Sequence, residues 1–243
     1  MLRLDRTPKT RYIWAIGLEL EGGICYDKLN ELYYALPSDM RPYLTWDYDG
    51  SVSVPRPEGV RCDWVRDVEI KYMALSPEEA EVVADLVWQH GFRQNSTCGN
   101  HHHLSFRVHH YYVASLLASL DFVGYYIERY VRTFKGIQKY MDRLINSYCK
   151  RNDNEWRLCD NIGGHRYYSV NFAALYKHGT VEIRIMPYAA NAEEYKRQLR
   201  FNVKVVEGYV RRRFGAPLEV DLGEVRTEEL EEVPRSEEVE EVI

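Results

Sequence analysis

Four short runs of this chain set ionisable residues at alternating positions: "GLELEGG" with Glu19 and Glu21, "DVEIKY" with Glu69, "GNHHHLS" with His101 and His103, and "TVEIRIM" with Glu182 and Arg184. Successive side chains of a β-strand point to opposite faces, so Glu19 and Glu21 share a face with Leu18 and Leu20 behind them. By the same alternation His101, His103 and Ser105 stand opposite His102 and Leu104, and Glu182 and Arg184 stand opposite Val181, Ile183 and Ile185. Any one run also reads as an exposed strand face; four of them point to a common polar surface. Carboxylates converging from several strands repel one another unless they share cations. Mg²⁺ takes oxygen ligands and bridges phosphates, and Arg184 offers the planar fork that grips phosphate oxygens. Zn²⁺ is the competing expectation, with Cys98, His101 and His103 as ligands, although Cys98 lies off the histidine alternation.

The elements that must position these residues follow from periodicity and punctuation. "YIWAIGLELEGGI" reads as a strand closed by Gly22 and Gly23, and "DKLNELYYALP" as a short helix ending before Pro37. "YLTWDYDGSVSVP" predicts a strand and a turn at Asp49 and Gly50, and "RDVEIKYMAL" a further strand. Ser76 as N-cap, Pro77 at the first position and Glu78 and Glu79 in the first turn start a helix that runs to Gly91. Residues 109–150 are helical in pattern with a break near Gly136. "HRYYSVNFAAL" and "GTVEIRIMPY" then predict strands joined at 177–179, and Asn191 caps a last helix carrying Leu199, Val203, Val206 and Val210. With no internal repeat and no linker, one α+β domain is expected.

Composition narrows the function classes. The chain has 243 residues, 45% hydrophobic and 28% charged, a profile of soluble globular proteins with enough length to bury a core. Its net charge of -5 argues against a nucleic-acid partner, which calls for a broad basic face. No window reaches the roughly 18 apolar residues of a membrane span, so no membrane partner is expected, and the N-terminus lacks the apolar core of a leader. The five cysteines form no CxxC pair; they read as buried small hydrophobes in a reducing cytoplasm rather than as a disulfide framework. Twenty tyrosines suit pocket walls but name no function.

As an ordered set the motifs resemble the amidoligase family, carboxylate-amine ligases with a glutamine-synthetase-like fold. "GLELEGG" matches its G-x-E-x-E opening, "DYDGS" its D-x-S element and "VEI" its Glu-Ile strand. "CGNHHHLS" matches C-G-x-H-x-H-x-S, "RYYSVN" matches R-Y-x-x-(L/V)-N, and "GTVEIRIM" matches T-x-E-x-R, the whole covering residues 16 to 186. Two departures stand out: "KYMAL" follows Glu69 where the family turns through Ser-Pro, and His102 replaces an apolar residue.

The resemblance implies an α+β fold with a curved, mainly antiparallel sheet of glutamine-synthetase-like type and helices packed on one face. It implies one catalytic domain over residues 1–217, followed by an acidic tail over 218–243. The implied reaction joins a small-molecule or peptide carboxylate to an amine through an acyl phosphate, with ATP and Mg²⁺ (or Mn²⁺) and release of ADP. Glu19, Glu21, Glu69, His101 and Glu182 would be metal ligands. His103, Arg184 and Asn171 would contact the nucleotide, and Arg184, Arg166 and Asp49 would be catalytic.

Other expectations stand beside these. The same parts suit a guanidino-kinase-like phosphotransferase, or a zinc-binding or inactive interaction module of the same fold. Asp49 reads equally as a turn former and Arg166 as half of a surface ion pair. Tyr167 and Tyr168 read as pocket wall or as sheet packing, and His109 and His110 as surface residues near a helix start. The acidic tail reads as a solvated extension, a cover for the site or a partner-binding segment.

Overall fold

A computed structural model describes residues 12–106 and 117–215 of the chain. Its central strand is β1 (Ile13–Cys25), paired antiparallel with β3 (Trp64–Leu75) on one side and β4 (Gly99–Phe106) on the other. β2 (Leu44–Tyr48) adds to β3, while β6 (Val181–Pro187) and then β5 (Val170–Asn171) add to β4. The result is an antiparallel open sheet of six strands in the order β2-β3-β1-β4-β6-β5. The helices are α1 (Tyr26–Ala35), α2 (Pro77–Gln89), α3 (Leu120–Phe134), α4 (Gln138–Arg143), α5 (Glu155–Ile162), α6 (Ala174–His178) and α7 (Ala192–Phe214).

The apolar halves of the alternating strands make the core. Leu18, Leu20, Ile70, Tyr72, Leu104, Ile183 and Ile185 are buried together with Val83 and Val87 of α2, Tyr126 and Tyr130 of α3, and Tyr195, Leu199 and Val206 of α7. Helix starts obey the sequence signals: Ser76 and Glu79 form a reciprocal capping box on α2, and Asn191 accepts from Glu194 N at the head of α7. His102 belongs to this helical side. Its Nδ1 accepts from Asn202 Nδ2 at 2.6 Å, and Asn202 Oδ1 accepts from Tyr126 OH at 2.6 Å. Burial, then the neighbouring imidazoles, push the His102 pKa down to about 3, so a neutral ring fills the place of an apolar side chain.

Some expectations change. The strand predicted around Tyr168 shrinks to Val170–Asn171, because Asn161 Oδ1 takes the Phe172 N–H and ends the ladder. The 177–179 junction is instead the end of α6, closed by Gly179 at φ +67°. α5 carries little apolar signal, since only Leu158 and Asn161 are buried on it. The helical pattern of 109–150 breaks at Gly136, φ +83°, as expected, but helix ends at Arg143. His109, His110 and the acidic tail lie outside the described residues.

The cysteine expectation is also corrected. Cys25 and Cys62 form a disulfide with Cα atoms 5.8 Å apart, because Cys25 pairs with Trp64 across the sheet and brings Cys62 alongside. Register, not spacing, made that neighbour. Cys98 and Cys149 are buried free thiols, whereas Cys159 is exposed. The reducing-compartment expectation thereby loses its cysteine argument. No described helix is long and apolar enough to cross a membrane.

Candidate active site

Strand register collects the ionisable residues on the sheet face opposite His102. Glu19 lies between Lys71 of β3 and His101 of β4, and Glu21 pairs opposite Glu69, which itself pairs opposite Asp47. His103 pairs opposite Glu182, and Glu182 opposite Asn171. The side chains then meet. Glu19 Oε2 lies 3.0 Å from His101 Nδ1, and Glu19 Oε1 lies 3.1 Å from His103 Nε2. His101 bridges onward, with Nε2 3.5 Å from Glu21 Oε1 and Nδ1 3.6 Å from Glu182 Oε1. Glu182 accepts from Arg184 Nη1 at 2.6 Å and from Asn171 Nδ2 at 2.6 Å. Asp49 is a turn former, its Oδ1 accepting from Ser51 N and Oγ, and its carboxylate also joins Glu21 and Glu69.

The charges hold one another in place. Burial works to raise the Glu19 carboxyl, but hydrogen bonds from His101 and His103 outweigh it and keep Glu19 well below the usual carboxylate range. Burial likewise opposes Glu182, and Arg184 with the two histidines overcomes it. Glu69 moves the other way, raised by burial and then by the Glu19 charge despite Lys71 at 2.8 Å. His103 is raised against burial by its Glu19 partner, and its Nδ1 meets Thr180 Oγ1 at 2.9 Å.

On this face, three groups put candidate ligand atoms within 4.8 Å of one another: Glu19, His103 and Glu182; Glu19, Glu69 and His101; and Glu21, Asp49 and Glu69. The last is all oxygen, the donor set of Mg²⁺; the two with one imidazole suit Mg²⁺ or Mn²⁺. Glu19 and Glu69 each serve two groups, which is the arrangement of neighbouring cations with shared carboxylates. Arg184 Nε is buried without a hydrogen-bond partner among the described residues, a donor beside the cluster that an anion's oxygen would satisfy. Donor set and orphan donor both fit a metal-bound phosphate.

The zinc expectation does not fit. Cys98 packs with Val52 and Val54, and its thiol contacts Asn95 Oδ1 at 3.6 Å and Thr97 Oγ1 at 3.9 Å. Burial raises that thiol to about 11, the opposite of a ligating thiolate, and no metal group among the described residues contains it.

Glu19, Glu21, Glu69, His101, His103, Glu182, Arg184, Asn171 and Asp49 are thus brought together, and Arg166 is not. Arg166 is exposed, donates to Tyr167 OH at 3.1 Å and lies 5.1 Å from that ring; the Arg184 guanidinium lies 5.9 Å from the same ring. Several residues of the face escaped sequence reading. Lys71 holds Glu69 and Asp47 at 2.8 and 3.0 Å, and alternation two residues beyond Glu69 was the available signal. His178, whose ring stands edge-on to His103 at 5.6 Å, and Thr180 come from the α6–β6 connection and had no such signal.

A family model described as "Putative amidoligase enzyme" matches residues 119–206. That segment contains Asn171, Glu182 and Arg184, and leaves β1, β3 and β4 outside it. No curated protein and no solved structure matches the chain.

Proposed function

We propose that this chain, an amidoligase relative through residues 119–206, is an ATP- and Mg²⁺-dependent, ADP-forming ligase joining a carboxylate to an amine. The family match by itself supports a ligase in general terms. The finer reading rests on one observation: three cation-sized groups of ligands share Glu19 and Glu69 on one sheet face, flanked by an arginine with an unused buried donor. The open antiparallel sheet with helices on its apolar side is consistent with a glutamine-synthetase-like type.

In this reading Glu19, Glu21, Glu69, His101 and Glu182 hold Mg²⁺, with Asp49 reaching the Glu21–Glu69 end. Mg²⁺ bound with ATP would neutralise phosphate charge and ease phosphoryl transfer to the substrate carboxylate. His103 and Arg184 meet the phosphate oxygens, Arg184 stabilising the charge that grows during transfer. Asn171 fixes the Glu182 carboxylate from the side opposite Arg184. An amine then attacks the acyl phosphate, forming the amide and releasing phosphate. The carboxylate belongs to an amino acid or a peptide.

The test is a screen of amino acids, short peptides and polyamines for Mg²⁺-dependent ADP release, with product analysis. Amide plus free phosphate supports the ligase. A stable phosphorylated acceptor would identify a phosphotransferase instead, and no nucleotide binding in Mg²⁺ or Mn²⁺ would end both readings.

A further inference from the structure

β6 carries a bulge where it passes the site. Asn100 pairs with Met186 and His102 with Ile183, so Arg184 and Ile185 together face the single residue His101. A bulge of this kind bends the strand and redirects its side chains. The backbone carbonyls of the bulge are taken by one guanidinium from α4: Arg143 Nη2 donates to Arg184 O at 2.8 Å and Arg143 Nε to Ile185 O at 3.3 Å.

That guanidinium also reaches the polar face of β4. A Cβ built on Gly99 would lie 2.9 Å from Arg143 Nη2, 3.3 Å from His101 Nε2 and 3.4 Å from Glu21 Oε2. The absent side chain of Gly99 therefore leaves room for the Arg143 head on the side of the strand where His101 and Glu21 also lie. Among the described residues, Nη1 of Arg143 makes no hydrogen bond. Glu21 Oε2 accepts from Gly99 N, and its Oε1 faces His101.

We infer that Arg143 is a second phosphoryl-binding arginine of the site, facing the transferring group from the Glu21 end as Arg184 faces it from the Glu182 end. This rests on the ATP-dependent reading above. A phosphoryl group in transfer spreads its charge over three equatorial oxygens, which a donor at each end of the site covers from two directions. Arg143 is held by two backbone bonds that fix its head while Nη1 makes no hydrogen bond among the described residues, so it meets such an oxygen without reorganising. Position 99 must then be glycine for a steric reason distinct from any turn.

The experiment titrates the full chain with Mg–ADP and with Mg–ADP plus fluoroaluminate, the latter standing in for the phosphoryl group. The parent protein should bind the fluoroaluminate complex more tightly. Arg143→Gln should keep Mg–ADP affinity within about twofold and lose most of the fluoroaluminate gain, on the order of 10²-fold. Gly99→Ala, whose methyl presses first on the Arg143 head and less closely on His101 and Glu21, should lose that gain too, with its Mg–ADP affinity reporting any effect on those two residues. The double variant should be no worse than Arg143→Gln alone, since both changes remove one interaction. If Arg143→Gln does not fold, Arg143→Lys, which keeps the charge and stem but loses the fork, decides in its place. Equal weakening of both complexes, no weakening at all, or additive losses in the double variant would overturn the assignment. A parent that binds no Mg–ADP overturns the ligase reading first and this inference with it.

Discussion

Arg184 donates to Glu182 Oε1 at 2.6 Å from two positions along the same strand, and both side chains are almost wholly buried. Thinning a crowd of carboxylates would by itself make Glu182→Gln neutral or stabilising. The pair reverses that sign, because the substitution leaves Arg184 buried with a weaker partner. A loss of about 1–3 kcal/mol is expected, read as a lower melting temperature of the apo protein. Mn²⁺ binding followed by electron paramagnetic resonance should weaken in the same variant.

Arg184→Lys keeps the charge and loses the fork. Mg²⁺-dependent ADP release should fall on the order of 10²-fold while the melting temperature moves much less. Activity falling only in step with the unfolded fraction would show the arginine to be structural.

On the other side of the sheet, Asn202 serves both Tyr126 OH and His102 Nδ1. Asn202→Ala orphans two buried groups and should cost on the order of 2–4 kcal/mol in denaturant unfolding. If the proposed function holds, the folded fraction should bind Mn²⁺ as the parent does, because nothing on the polar face has changed.

Glu194 supplies the acid-sensitive contact at the head of α7. Burial opposes its charge, but Lys139 at 2.7 Å, then Ala190 N and Tyr140 OH, hold its pKa below the usual value. A lowered carboxyl binds its proton more readily in the unfolded chain, so its contribution is full above the ordinary carboxylate pKa and fades as pH falls through the folded value. Glu194→Gln should therefore melt lower than the parent at pH 7, and the gap should close below about pH 4. A gap independent of pH would show that charge is not what holds this contact.

The Cys25–Cys62 bond closes a separation of 37 residues. Chain entropy assigns such a closure about 3–4 kcal/mol, so Cys62→Ser or reduction should lower the melting temperature by many degrees. Unchanged melting in a reductant would show the loop to be held by its backbone bonds alone.

The polar face was legible because alternation is local: two residues decide which side Glu19 and Glu21 take, whatever the rest of the chain does. Asp49 and Asn171 were legible only through resemblance, since a turn aspartate and a strand asparagine look alike with or without a site. Arg143 was invisible for a different reason. It arrives from a short helix, and its place follows from a bulge in β6 and a missing side chain on β4. The disulfide and the two-residue β5 escaped similarly, the first through cross-strand register and the second because Asn161 captures the Phe172 N–H.

The strand order also sets a timetable. β1, β3 and β4 emerge early in synthesis, and Glu182 and Arg184 arrive on β6, near the end of the described chain. A nascent chain thus presents Glu19, Glu21, Glu69, His101 and His103 without Glu182 and Arg184, and with α7 not yet available to cover the apolar side. Two of the three ligand groups, Glu19–Glu69–His101 and Glu21–Asp49–Glu69, are complete before β6 emerges, whereas the group of Glu19, His103 and Glu182 and the Arg184 donor wait for it. If the proposed function holds, cation binding should therefore appear at shorter chain lengths than nucleotide binding, which waits until β6 has cleared the ribosome and joined β4.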